Sequence, residues 1–194
     1  MKMIGVIGGM SRVSSAEYYK LMNEMVEERP GGLHSAKILM YSIEFAEFTD
    51  IPRRFRKVQS SFDWKPLRNT MIDSAERLKR RGGAYFIIRC SNTLHSSADD
   101  IEKKVKIPVL RIAGATGEKI RERALKIVGL PGTEYTMEED FYRKRLEEKF
   151  GIKVIILVCT EIPLLVKQKD VEIPLFDMMT IHAEAAVKYA LGDE

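Results

Sequence analysis

The sequence predicts an α/β protein made of two pseudo-symmetric parallel-sheet lobes, of which the second is reduced. Short apolar segments alternate with helical segments along the chain, which is the order of parallel strands joined by right-handed crossovers. Segments of the first half recur in the same order in the second half, and this repeat predicts two related lobes. Because the second copy is shorter, its sheet should be the smaller one.

The first half opens with an apolar run that ends at Gly8-Gly9 and leads into a helical segment, as in a parallel α/β unit. Residues 67–81 carry an apolar face at helical spacing and are followed by two glycines that end the helix. Residues 44–65 show no clean periodicity, so we expect a long loop there. The elements predicted in this half are strand 4–7, helix 16–28, strand 37–43, helix 67–81, strand 85–90, a short helix and strand 107–112.

The second half continues the alternation with fewer elements. Its predicted elements are helix 116–124, strand 127–130, helix 137–150, strand 154–158, strand 174–176 and helix 181–191. We expect the three strands of this half to form the second sheet and the last helix to return to the first. The predicted lobes are therefore residues 1–108 together with 178–194, and residues 109–177.

Composition excludes several classes of protein. The 194 residues are 45% hydrophobic and 31% charged, which argues against a disordered chain and a membrane protein. The glycine-broken start lacks the pattern of a signal peptide, so we expect a cytoplasmic protein. Two cysteines and three scattered histidines are too few for a disulfide scaffold or a zinc site. The net charge of +4 is spread over segments of mixed sign, which favours a solvated surface over a nucleic-acid interface.

The internal repeat places polar side chains at two equivalent strand ends. Residues 4–8 are similar to 128–132, residues 86–93 to 154–161, and residues 105–110 to 171–176. Ligands of parallel sheets bind beyond the carboxyl ends of the strands, where the repeat puts Ser91-Asn92-Thr93 in one lobe and Cys159-Thr160-Glu161 in the other. Inversion of a carbon centre by proton transfer needs one acid/base group on each face, and two facing lobes permit that arrangement.

Several motifs carry a family resemblance. They are Gly8-Gly-Met-Ser11, Ala16-Glu-Tyr-Tyr19, Asn92-Thr-Leu-His95, Cys159-Thr-Glu-Ile-Pro163, and Asp177 with Ile181-His-Ala-Glu-Ala185. In this order the chain resembles the aspartate/glutamate racemase family over residues 1 to about 192, with a segment missing before Val154. That family consists of cofactor-independent amino-acid racemases with two α/β lobes. In its members a cysteine from each lobe removes and returns the proton of the α-carbon.

The resemblance implies site residues by position. Cys159 matches the second catalytic cysteine, and Asn92 with Thr93 matches the pair that follows the first. The first cysteine's position is then held by Ser91, while Cys90 stands one residue earlier and should point back into the sheet. The implied substrate-binding residues are Met10, Ser11, Asn92, Thr93, Thr133, Thr160 and Glu161. The implied substrate is aspartate or glutamate, with no pyridoxal phosphate, no other cofactor and no metal.

Other interpretations stay open at this point. The chain could be a non-catalytic amino-acid-binding protein of the same family, since serine replaces a thiol at position 91. The basic run at residues 53–57 could bind nucleic acid, and the serine, threonine and asparagine residues could serve as caps and turns. We also expect a homodimer, because the shortened second lobe has less of its own chain to cover its apolar faces.

Overall fold

The computed structural model describes residues 1–29, 32–44, 65–91, 97–131, 141–157 and 174–193. Strands and helices alternate through these ranges, as the sequence predicts. In chain order they are β1 (Ile4–Gly8), α1 (Arg12–Glu27), β2 (Ile38–Ser42), α2 (Lys65–Gly82), β3 (Phe86–Arg89), α3 (Ala98–Val105), α4 (Ile112–Glu122), β4 (Ile127–Pro131), α5 (Phe141–Phe150), β5 (Lys153–Leu157) and α6 (Met178–Leu191). Nearly all of the loop predicted over residues 44–65 lies outside the described residues, as do residues 137–140 of the predicted fifth helix.

The first sheet is parallel and has the strand order β2-β1-β3. Its central strand, β1, is buried at every position because helices cover both faces of the sheet. Ile4 and Val6 pack with residues of α1 and α6 on one face, and Ile7 packs with residues of α2 and α3 on the other. A strand covered on both sides needs a continuous apolar run, and β1 has one.

Within the described residues the second sheet consists of β4 and β5, which also pair in parallel. Its core contains Ile112 and Ile120 of α4, Leu146 of α5 and Ile152 at the start of β5. Among the described strands, no pairing joins this sheet to the first. The fold is therefore α/β with two parallel-sheet lobes, and the second lobe is the smaller.

The strand predicted at residues 107–112 is wrong in its extent. Only one bridge forms, between Val109 and Ile87 of β3. The outward N–H of Val109 donates to the carboxylate of Glu102 at 3.0 Å instead of to another strand. Arg111 then becomes the residue that precedes α4, so the chain turns into a helix before a ladder can extend.

The strand predicted at residues 174–176 is also wrong. The structure gives this segment no strand assignment. Phe176 packs on the core of the second lobe, and the next residue, Asp177, starts α6. The apolar pattern of this segment therefore reflects core packing and not strand pairing.

Four helices begin earlier than the sequence predicts, and one of them, α2, begins at Lys65 instead of residue 67. Ser11 is extended and its hydroxyl accepts a backbone N–H, so α1 begins at Arg12 instead of residue 16. Asp177 caps α6 in the same way, and that helix begins at Met178 instead of residue 181. The fourth helix begins at Ile112 instead of residue 116. Short polar side chains satisfy the first free N–H groups of a helix, which lets two of these helices start before their periodic apolar pattern does.

Candidate active site

The carboxyl ends of β1 and β3 bring two predicted site segments to one edge of the first sheet. Ile7 of β1 pairs with Arg89 of β3, and the N–H of Cys90 donates to the carbonyl of Ile7 at 3.1 Å. Ser91 follows directly and is half-buried. The glycine turn after β1 and Ser91 after β3 therefore leave the sheet side by side, where parallel sheets bind their ligands.

The turn after β1 is built around glycine and a buried serine. Gly9 has φ of 95°, and a Cβ there would lie 2.1 Å from the carbonyl oxygen of Ile43. The hydroxyl of Ser15 accepts the N–H of Gly9 at 3.0 Å and donates to the carbonyl of Ser11 at 2.8 Å. A Cβ on Gly8 would meet this same hydroxyl at 2.7 Å. Only glycine fits at both positions, and the turn is held against the start of α1.

Two predicted substrate contacts have structural tasks in this turn. The hydroxyl of Ser11 accepts the N–H of Ser14 at 3.2 Å as the cap of α1. The side chain of Met10 is 8% exposed and belongs to the core of the first lobe. A role for Met10 at the surface of the site is therefore limited to its backbone, whereas Ser11 lies at a helix N-terminus, where anions are favoured.

Cys90 and Ser91 are adjacent in the sequence but lie in different environments. Cys90 is 2% exposed and packs among apolar side chains of the first lobe. Burial raises the pKa of its thiol to about 12, against a hydrogen bond with Ser15 that acts in the opposite direction. A thiol with this pKa stays protonated near neutral pH, so Cys90 is unsuited to act as a base. Alternation along the strand, predicted from sequence, gives this result.

Sequence reasoning missed Arg89, which is fully buried at the end of β3. Its guanidinium donates to the hydroxyl of Ser97 at 2.6 Å, next to the start of α3. This bond spans the ends of the segment that contains Asn92 and Thr93. An arginine inside the apolar run Ile87-Ile-Arg-Cys90 was the available signal, because a buried arginine needs polar partners.

All of the remaining predicted site residues lie outside the described residues. These are Asn92, Thr93, Thr133, Cys159, Thr160 and Glu161. The basic run at residues 53–57, the candidate nucleic-acid contact, lies outside them as well.

The described strands nevertheless test the internal repeat. The repeat equates Ile7 with Pro131 and Arg89 with Leu157. In the first lobe Ile7 pairs with Arg89, and in the second Pro131 pairs with Leu157. The sequence repeat and the strand register thus agree independently, and the register aligns the strand that precedes Ser91 with the strand that precedes position 159.

A surface cavity of about 320 Å³ lies between α4 and α6. It is lined by Lys119, Arg123, Phe176 and Glu184, among others, and by none of the predicted site residues. Lys119 already pairs with Glu122 at 3.2 Å and with Glu184 at 3.7 Å. Arg123 lies 5.5 Å from the centre of the Phe176 ring. We therefore do not assign the reaction to this cavity.

Two features are absent from the described residues. Within the six described ranges, no group of three or more His, Cys, Asp or Glu residues is arranged to hold a metal ion. In the same ranges, none of the helices combines the length and apolar character needed to cross a bilayer.

Comparisons with known proteins agree with this architecture. The family model for Asp/Glu/hydantoin racemases matches residues 7–152. A crystal structure of a candidate Asp/Glu racemase from Yersinia pestis is 36% identical, with a TM-score of 0.87, over 98% of this chain and 100% of that one. An aspartate racemase homologue from Pyrococcus horikoshii OT3 is 30% identical, with a TM-score of 0.83, over 98% of this chain and 100% of that one.

A relative named as an amino-acid racemase is more distant. The broad specificity amino-acid racemase RacX of Bacillus subtilis (strain 168) is 26% identical over 148 residues, which are 75% of this chain. The matched part spans 60% of the length of the Bacillus protein. The family model covers most of the chain, and two solved structures match it almost from end to end. The chain therefore belongs to the Asp/Glu/hydantoin racemase family.

Proposed function

We propose that this protein is an amino-acid racemase that acts on aspartate or glutamate without a cofactor or metal. Two acid/base groups, Cys159 and Ser91, serve opposite faces of the α-carbon. One removes the α-proton and the other delivers a proton from the opposite side, so the configuration inverts and no atom is gained or lost. Membership of the racemase family supports the reaction class, and the acidic substrate follows from the family resemblance.

The observation that carries the proposal is the match between sequence repeat and strand register. Ile7 with Arg89, and Pro131 with Leu157, are equivalent pairs in the two lobes. Counting two residues beyond Arg89 gives Ser91, and two beyond Leu157 gives Cys159. Ser91 and Cys159 therefore occupy equivalent positions after two related strands. A reaction with one base on each face of the carbon requires such a pair.

The proposed substrate-binding residues are those that the family resemblance implies by position. Ser11 and Met10 belong to the turn after β1, and Thr133 stands two residues after β4, the equivalent strand of the second lobe. Asn92 and Thr93 follow Ser91, and Thr160 and Glu161 follow Cys159. Hydroxyl and amide groups hydrogen-bond carboxylate and ammonium groups, and the N-terminus of α1 adds a partial positive charge for a carboxylate.

Ser91 makes the two halves of the reaction unequal. A thiol has a pKa of about 8.5, whereas a serine hydroxyl holds its proton far more tightly, and a base works best when its pKa lies near the working pH. Racemisation should therefore be slow and limited by the Ser91 side. In deuterated water one enantiomer should exchange its α-hydrogen faster than it inverts, because Cys159 can remove and return a proton on its own face.

The test is to incubate the protein with L- and D-aspartate and with L- and D-glutamate. Circular dichroism follows inversion, and proton NMR in deuterated water follows α-hydrogen exchange. Cys159→Ser should abolish both processes, and Cys90→Ala, the matched control at the neighbouring thiol, should keep them. Loss of activity in Cys90→Ala with no effect of Ser91→Cys would show that the assignment is one residue out of register.

The serine at position 91 also supports a second candidate function, a non-catalytic amino-acid-binding protein. The two candidates share the binding site and differ in the chemistry. Binding of aspartate or glutamate by calorimetry, with neither exchange nor inversion in any variant including Ser91→Cys, would favour the binding protein.

The assembly is part of the proposal. We propose that residues 1–108 with 178–194 form one lobe, that residues 109–177 form the other, and that the protein works in the cytoplasm as a homodimer. The second sheet has two strands in the part of the chain that the structure describes, and this supports the dimer, because a small sheet has little of its own chain to cover it. Light scattering that gives a monomer at high micromolar concentration would contradict it.

A further inference from the structure

Within the described residues the chain passes between the two cores at two places. The first is Leu110–Arg111, between the bridge of Val109 to the first sheet and the start of α4 in the second lobe. The second is α6. Met178, its first residue, packs on the core of the second lobe, whereas Ala183 and later residues pack in the core of the first.

A buried histidine connects these two passages. The Nε2 of His182, on α6, lies 3.0 Å from the carbonyl oxygen of Leu110. Its Nδ1 lies 2.9 Å from the hydroxyl of Tyr18 on α1. A carbonyl oxygen only accepts, so the Nε2–H of a neutral His182 donates to Leu110, and its Nδ1 accepts from Tyr18. The ring is fully buried and packs edge-on against the Tyr18 ring.

The protonation state of His182 fits this geometry. Burial lowers its pKa to about 4, aided by the charge of Arg89 and opposed by the bond to Leu110. The imidazole is therefore neutral near neutral pH, and its two nitrogens hold one donor and one acceptor position in a fixed orientation.

Leu110 is held from both sides. Its N–H donates to the carbonyl of Ile87 in β3 at 2.9 Å, and its carbonyl accepts from His182. The next residue, Arg111, pairs at 2.7 Å with Glu102 of α3. The first passage is thus fixed to the first lobe up to the residue before α4, and α6 is fixed to the same point. The two segments that join the lobes are thus tied to each other at Leu110, on the first-lobe side of the junction.

We propose that His182 is a positioning residue which, through Leu110 and Tyr18, fixes the angle between the two lobes and so the separation of the two acid/base groups. The inference rests on the proposed function for its catalytic consequence. A reaction that uses one base from each lobe depends on both being within reach of the same carbon, and small misplacements of reacting groups are costly. Exchange at one face uses the acid/base group of one lobe only.

Three variants distinguish a positioning role of His182 from an effect on folding stability alone. Tyr18→Phe removes one hydrogen bond and keeps the ring. His182→Gln keeps an amide that can donate to Leu110 and accept from Tyr18, and His182→Leu keeps neither. Tyr189→Phe is the matched control, because Tyr189 is a partly exposed tyrosine on the same helix as His182.

The first measurement does not depend on enzymatic activity. Spin labels are attached through ketone-bearing amino acids at Arg80 of α2 and Glu148 of α5, two exposed positions on different lobes, and electron–electron resonance gives the distance between them. We expect a broader distance distribution in Tyr18→Phe and His182→Leu than in the unsubstituted protein, Tyr189→Phe and His182→Gln. An unchanged distribution in folded Tyr18→Phe overturns the inference, whether or not the protein proves to be a racemase.

The second measurement is the ratio of inversion to α-hydrogen exchange with aspartate in deuterated water. We expect this ratio to fall on the order of tenfold in Tyr18→Phe, with a smaller change in KM. We expect His182→Gln to restore most of the ratio lost in His182→Leu. A lower melting temperature with an unchanged ratio would mean a structural role only and would overturn the inference. Absence of both exchange and inversion in the unsubstituted protein would refute the proposed function, and the distance measurement alone would then decide the inference.

Discussion

Cys90 should be almost inert in the folded protein. The chain has two cysteines, so Cys159→Ser leaves Cys90 as the sole thiol. Cys90 is 2% exposed, and burial raises its pKa from the ordinary 9.0 to about 12. Alkylating reagents attack the thiolate and not the thiol, so the folded protein should protect this residue both by its pKa and by its packing.

The size of the effect follows from the two pKa values. At pH 8 a thiol of pKa 9.0 is about one-tenth ionised, and one of pKa about 12 is about one ten-thousandth ionised. The thiolate fraction therefore falls about a thousandfold on folding, before any steric protection is counted.

The assay is alkylation of Cys159→Ser by iodoacetamide at pH 8, followed by mass spectrometry. We expect the reaction in native buffer to be at least about a thousandfold slower than in 6 M guanidinium chloride, where the chain is unfolded. A native rate within about tenfold of the unfolded rate would refute the burial of Cys90. It would also reopen the possibility that Cys90, and not Ser91, is the group at the site.

Three further predictions concern single residues. The pKa of His182 is lowered from 6.5 to about 4 in the folded protein. As the pH falls below about 6.5, His182 is therefore protonated in the unfolded chain while it stays neutral in the folded protein. The free energy of unfolding should fall by up to about 3 kcal/mol by pH 4, and the loss should be smaller in His182→Gln when both are followed by urea denaturation. Ser15→Ala leaves the N–H of Gly9 without its acceptor and should cost about 1–3 kcal/mol; an unchanged urea midpoint would contradict this. Ser91→Cys should raise the rate of inversion seen by circular dichroism without raising the exchange rate at the Cys159 face, and equal increases in both would argue against separate faces.

The buried strands of the first sheet could be predicted from sequence because a core that covers both faces of a strand demands an apolar run. β1 and β3 are buried on both faces, so their residues are apolar at nearly every position and are easy to recognise. The repeat then gave the equivalence of the lobes, and the register of β1 with β3 and of β4 with β5 agrees with it.

The same apolar signal was misleading where apolar residues pack on a core without pairing as a strand. Residues 107–112 and 174–176 are as apolar as short strands, yet one makes a single bridge and the other none. Helix starts were also missed, because Ser11 and Asp177 carry no apolar pattern and act through hydrogen bonds to the following turn.

The sequence by itself determined the α/β class, the two-lobe repeat and the family, since these depend on residue types and spacings along the chain. Only the tertiary structure decided which side chains of the site segments are buried and what they contact. Cys90 lies in the core and its neighbour Ser91 at the edge because the strand alternates against helices that are distant in sequence. His182 meets Leu110 across 72 positions and Tyr18 across 164. Such contacts form when packing brings distant elements together, and no local pattern of residues encodes them.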